Sequence, residues 1–148
     1  VNTKDTLLIS SLEKSDDMGS LIEKVYKKDP EKIENSVDEN RPWGSFEVIK
    51  RDKEYLVKKL IIKPGGKLSL QKHNYRSEHW VIISGKARVF LDEKSFILNE
   101  NQSTFIPINT KHSLENEHEE DLIIIEVQTG KYLSEDDIVR YKDEYSRK

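Results

Sequence analysis

From Arg41 onward the chain is a succession of short strand-like segments broken by turn residues, with no amphipathic stretch between them long enough for a crossover helix. Residues 46–50, 55–63, 67–73 and 78–84 read as the first four strands. Residues 86–91 and 95–98 flank Asp92-Glu93-Lys94 as a hairpin, and residues 103–108, 112–116 and 122–128 complete the set. Pro64-Gly65-Gly66 and Ser84-Gly85 read as turns, because proline fixes the approach and glycine tolerates positive φ. Parallel strands need connections of a dozen or more residues. The spacing therefore predicts an all-β antiparallel sandwich or barrel.

The two ends differ from this pattern. Residues 6–9 suit one short strand. Ser15, followed by Asp16 and Asp17, reads as a helix N-cap, and Met18, Leu21, Ile22 and Val25 recur at helical spacing until Pro30 stops the helix near Lys28 or Asp29. Residues 31–40 are polar and read as a linker, which divides the chain into a connector over 1–40 and a barrel over 41–148. Ser134-Glu135-Asp136-Asp137 forms a capping-box pattern before Ile138-Val139-Arg140-Tyr141 and predicts a C-terminal helix. The chain opens on Val1 rather than methionine, which suits a piece of something longer.

Composition narrows the function classes. Only 34% of the 148 residues are hydrophobic and 36% are charged, but the apolar ones concentrate between Trp43 and Val127, where Leu122-Ile123-Ile124-Ile125 can fill a core. A net charge of −3 has the wrong sign for nucleic-acid binding through phosphate neutralisation. The absence of cysteine excludes disulfides and thiolate metal sites, and no apolar run approaches the length of a membrane span. No signal-peptide pattern opens the sequence, and a cytoplasmic protein is the expectation.

One constellation carries chemistry. Gln71 and His73 lie two apart on a strand and share a face. A turn through Asn74-Tyr75-Arg76-Ser77 brings Glu78 back toward the same space, at the head of an inward row with Trp80 and Ile82. His112 follows Pro107 on a later strand. Two imidazoles, a carboxylate and an amide oxygen form a mixed nitrogen–oxygen set that suits zinc, cobalt or iron(II) better than calcium or magnesium. His79 faces away from Glu78, and His118 sits in an acidic loop; neither belongs to the set. Trp43 and Trp80 read first as core residues.

These residues lie within longer strings. Pro64-Gly65-Gly66, Gln71-x-His73, Glu78 and Gly85 resemble the first cupin motif, and Pro107, His112 and Asn116 the second. Arg41-Pro42-Trp43-Gly44, the run from Leu68 to His73, Arg76-Ser77-Glu78-His79-Trp80, the run from His112 to Asn116, the run from Ile125 to Gly130 and the run from Glu135 to Arg140 resemble the type II phosphomannose isomerase domain. That domain is usually found behind a mannose-1-phosphate guanylyltransferase. The resemblance implies a double-stranded β-helix (jelly-roll barrel). It also implies metal-dependent interconversion of mannose 6-phosphate and fructose 6-phosphate for GDP-mannose and polysaccharide biosynthesis, with Gln71, His73, Glu78 and His112 on zinc or cobalt. Moving a proton between C1 and C2 requires a base and a stabilised oxyanion. Arg76, Lys111 and Arg140 are candidates for holding the phosphate, and Arg76 and Glu126 for the chemistry. The base stays open among Glu126, His79 and a metal-bound hydroxide. A homodimer is the expected assembly, cupins often pairing through edge strands. Two other readings compete: a non-catalytic module of a guanylyltransferase, and a metal-free epimerase, which would need a His–Asp pair that the sequence does not place.

Overall fold

A computed structural model of the chain describes Ile9, Ser11, residues 17–28 and residues 38–142. The chain divides into two compact units, Val1–Val37 and Asp38–Lys148. In the first, the expected helix forms as α1 (Met18–Lys28), with Lys27 and Lys28 in its last turn, where cations complement the helix dipole. The Ser15 cap lies outside the described residues, as does the proposed strand over 6–9 except for Ile9.

The second unit is two antiparallel sheets. The six-stranded sheet runs β1 (Asp38–Arg41), β2 (Gly44–Arg51), β3 (Tyr55–Ile62), β10 (Leu122–Gly130), β5 (Arg76–Ser84) and β8 (Ser103–Ile106). The five-stranded sheet runs β11 (Ile138–Lys142), β4 (Leu70–His73), β9 (His112–Glu115), β6 (Lys86–Leu91) and β7 (Lys94–Asn99). Apolar side chains of both sheets meet in one core: Leu60, Ile62, Trp80, Ile82, Leu122 and Ile124 from the first face Ala87, Val89, Leu98 and Leu114 from the second. The turns fall where glycine was expected to allow them, with Gly65 at φ 71° and Gly85 at φ 87°.

Two expectations are corrected. Residues 38–40, read as linker, belong to β1, which pairs with β2 through Asp38↔Glu47 to Arg41↔Gly44. An edge strand is held by its backbone ladder and is often charged, so Asp38-Glu39-Asn40 carries no apolar signal. The predicted C-terminal helix does not start at Ile138. Glu135–Asp137 makes a single 3-10 turn, Ser134 makes no side-chain cap, and residues 138–142 form β11 against β4. The carboxylate of Asp137, read as part of a capping box, accepts the backbone N–H groups of Asn74 and Tyr75 instead. Residues 143–148 lie outside the described part.

Candidate metal centre

Strand alternation places the polar site on the same inward faces as the core. On β10 the buried positions are Leu122, Ile124, Glu126 and Gln128, so one face passes from apolar core to polar site along a single strand. On β5 the inward row is Arg76, Glu78, Trp80 and Ile82. Register sets Gln128 opposite Glu78, and Glu126 between Trp80 on one side and Lys58 on the other. Across the barrel, β4 brings Gln71 opposite His112 of β9.

Three of the four expected ligands converge. Donor atoms of His73, Glu78 and His112, all buried, lie within 4.8 Å of one another. His73 Nε2 is 3.0 Å from Glu78 Oε1, and His112 Nε2 is 3.7 Å from Glu78 Oε2. The Nδ1–H of His112 donates to the Thr110 carbonyl at 2.9 Å. A carbonyl can only accept, so this bond fixes the tautomer and leaves the Nε2 lone pair pointing at the cluster, the arrangement second-shell partners give to metal-bound histidines. Neither nitrogen of His73, nor Nε2 of His112, makes a hydrogen bond. The 3.0 Å approach of His73 Nε2 to Glu78 Oε1 lacks the alignment of a hydrogen bond. Buried polar atoms without partners are costly, and two lone-pair donors beside a carboxylate are what a divalent ion of the zinc or cobalt type would satisfy. The residues fit a metal. Gln71, the fourth expected ligand, lines the adjoining cavity, where its side-chain oxygen accepts from Ser69 Oγ at 2.9 Å.

Electrostatics favour the ligand-ready forms. Burial pushes the Glu78 carboxyl up, but His73, His112 and Arg76 together pull it well below the ordinary carboxylate range. Arg76 Nε donates to Glu78 Oε1 at 3.2 Å, and its Nη1 donates to the Ser134 carbonyl at 2.7 Å. Burial lowers the His112 pKa and keeps the ring neutral. Glu126 goes the other way: burial first, then the Glu78 charge, pushes it up to about 8. Trp80 Nε1 donates to Glu126 Oε2 at 2.9 Å and to Glu78 Oε2 at 3.2 Å, while Gln128 Nε2 donates to Glu126 Oε1 at 2.8 Å.

Around Glu78 and Glu126 the structure opens a cavity, its rim and walls including Arg41, Trp43, Lys58, Gln71, Arg76, Glu135 and Arg140. Arg76, Glu126 and Arg140 are thus brought together. Lys111 is not: it is exposed, lies outside this lining, and rests its ammonium 4.5 Å from the centroid of Tyr141. His79 is exposed, its ring in a T-shaped contact with that of Phe105, as its facing implied. Both tryptophans are buried, as expected, yet Trp43 also lines the cavity and Trp80 holds both carboxylates. Asn116 is structural, its Nδ2 donating to the carbonyls of Ile62 and Glu120.

Lys58, Gln128, Glu135 and Asp137 also help to build the candidate site, although the sequence raises no expectation of a site role for them. Lys58 had a signal. In β3 the inward positions are Leu56, Lys58, Leu60 and Ile62, and a lysine in an apolar inward row is a residue placed at a cost.

The model of the mannose-6-phosphate isomerase C-terminal family matches residues 28–143. The chain belongs to this family. The mannose-1-phosphate guanylyltransferase of Klebsiella pneumoniae and the alginate biosynthesis protein AlgA of Pseudomonas aeruginosa are each 42% identical to it over 147 residues, 99% of this chain and 31% of theirs. The chain therefore spans about a third of the length of these relatives. Among solved structures, the cupin domain of Schizosaccharomyces pombe Cnp3 superposes with a TM-score of 0.57 at 13% identity, covering 62% of this chain and 68% of that one. The β-barrel is of the cupin type.

Proposed function

We propose that the chain is a metal-dependent isomerase interconverting mannose 6-phosphate and fructose 6-phosphate in the cytoplasm, upstream of GDP-mannose. The observation carrying this reading is that a buried His73–Glu78–His112 cluster adjoins a cavity that also holds Glu126, a carboxylic acid with a near-neutral pKa. One divalent ion, zinc or cobalt, would be held by His73, Glu78 and His112 with Gln71 beside them, and would supply Lewis-acid polarisation of the sugar carbonyl.

The chain's own residues supply the rest. Glu126, fixed by Trp80 and Gln128, is the group that takes a proton from one of the two sugar carbons and returns it to the other, while the hydroxyl proton of the neighbouring oxygen passes to the former carbonyl oxygen, so that nothing is gained or lost. Burial holds its carboxyl above the ordinary range, which favours its taking and returning a proton near neutral pH. Arg76 keeps Glu78 ionised and presents a buried guanidinium to the cavity; Arg140, at the rim, faces the phosphate end. Trp43, Phe46, Leu60 and Leu68 give the cavity an apolar wall that limits water. His79 points to solvent and takes no part.

The experiment is an isomerase assay with added zinc or cobalt, comparing wild type, chelated protein and His73→Ala. Activity in the loaded wild type and its loss in the other two support the mechanism; activity surviving both treatments removes it.

A second reading follows from the names and lengths of the relatives, several of which are named mannose-1-phosphate guanylyltransferases and are about three times as long. On it the domain binds metal or sugar phosphate, or pairs two copies as a homodimer, for an attached guanylyltransferase without turning anything over. A chain that binds metal and mannose 6-phosphate but never forms fructose 6-phosphate favours it.

A further inference from the structure

Lys58 is 5% exposed, yet its cationic end reaches the cavity. Its partner is Glu135, with which it forms a short ion pair, and its ammonium also stands 4.7 Å from the centroid of the Phe46 ring. The two partners are unequally placed. The Lys58 side chain is 6% exposed and belongs to the sheet; that of Glu135 is 47% exposed and belongs to a one-turn 3-10 segment at the rim. A half-exposed carboxylate on a rim turn has water on one side to turn toward, whereas the buried ammonium needs an anion.

The cavity lining as a whole is cationic. Arg41, Lys58, Arg76 and Arg140 face Glu78, Glu126 and Glu135. Arg76 is committed to Glu78 and the Ser134 carbonyl, and Arg41 pairs with Glu39 at 2.9 Å. Lys58 is the buried cation whose counter-ion is best able to leave.

We propose that Lys58 is the specificity-determining residue for the phosphate monoester of the substrate, and that Glu135 is an internal stand-in for that phosphate, occupying the ammonium until the ligand displaces it. This rests on the isomerase reading for the identity of the sugar, but not for the anion exchange. Arg140, across the rim on β11, completes the clamp. The arrangement selects phosphorylated over unphosphorylated sugar, because only a dianion repays the separation of the Lys58–Glu135 pair. Phosphate binding then releases the 3-10 turn, coupling its position to ligand.

Exchange makes a prediction of opposite signs at two adjacent residues. Calorimetric titration with inorganic phosphate, mannose 6-phosphate and mannose would be run on the metal-loaded wild type, Glu135→Gln and Lys58→Met. Removing the competitor in Glu135→Gln should tighten both phosphate ligands by roughly two- to fivefold, the modest gain expected where the departing partner is half exposed. Lys58→Met should weaken them by about tenfold or more, and neither change should improve the binding of mannose. Glu135→Gln leaves the buried Lys58 ammonium without its partner, so its thermal unfolding is measured alongside, and a folded Glu135→Gln keeps the test even if Lys58→Met misfolds. Phosphate binding that is unchanged or weaker in Glu135→Gln overturns the exchange. A wild type that isomerises mannose 6-phosphate while Lys58→Met binds it equally well overturns the role of Lys58 and leaves the isomerase reading intact. Absence of isomerisation, with phosphate binding that follows both substitutions as stated, sinks that reading and keeps the anion site.

Discussion

Asp137 holds Asn74: one carboxylate oxygen accepts the Asn74 backbone N–H at 3.0 Å, and the other takes that of Tyr75 at 3.2 Å. The two amides lie in the turn joining β4 to β5, immediately after His73 and before Glu78. The spacing of two candidate metal ligands thus depends on a buried carboxylate sixty residues away in sequence. At the next position, Ile138 pairs with His73 across the β11–β4 ladder.

Asp137→Ala should therefore weaken cobalt binding by roughly ten- to a hundredfold, the range seen when outer-shell partners of metal sites are removed. The check is competitive titration, with the visible absorption of bound cobalt as a second readout of ligand geometry. An unchanged affinity and spectrum would mean that the turn keeps its shape without Asp137.

Metal should stabilise the fold through the same three donors. At a free ion concentration a hundredfold above the dissociation constant, wild type should gain about 2.7 kcal/mol in unfolding free energy. His73→Ala should gain far less. Thermal or denaturant unfolding with and without zinc measures both. Equal gains in the two proteins would place the ion elsewhere.

Glu126 predicts a pH dependence of the metal-free chain. Its carboxyl titrates near 4.5 when unfolded and at about 8 when folded, so the folded state holds the extra proton between these values. Stability is complete below the lower value and falls as pH rises toward the upper one, with a slope of up to about 1.4 kcal/mol per pH unit. His112, whose pKa is lowered by burial, acts in the opposite sense below 6.5, so the comparison must be with Glu126→Gln. Denaturant unfolding from pH 5 to 8.5 should show the fall in wild type and its reduction in Glu126→Gln. Parallel curves would contradict the burial of an uncharged acid.

Much of this architecture is legible in the residues because strand alternation encodes facing. The pair Gln71 and His73, and the row Glu78, Trp80 and Ile82, follow from a period of two, and Pro64-Gly65-Gly66 marks its turn by backbone chemistry alone. What escaped depends on pairings made at a distance. The Ser-Glu-Asp-Asp string has the local pattern of a helix cap, but Asp137 finds two orphan amides in the β4–β5 turn, and Ile138, Val139 and Arg140 join an edge ladder with β4. Lys111 sits beside a ligand in sequence, yet it precedes β9 on the connecting loop, where it is exposed and its ammonium packs on Tyr141. Lys58 broke an apolar inward row, a signal present in the sequence whose meaning required the position of Glu135.

The central claim is that His73, Glu78 and His112 share one ion. Anomalous diffraction at the cobalt edge, from crystals of the cobalt-loaded protein, addresses it directly. The account predicts a single strong peak between the two Nε2 atoms and the Glu78 carboxylate, absent from His73→Ala crystals grown in the same way. A peak elsewhere, or none at a cobalt concentration that saturates the protein in solution, would contradict it.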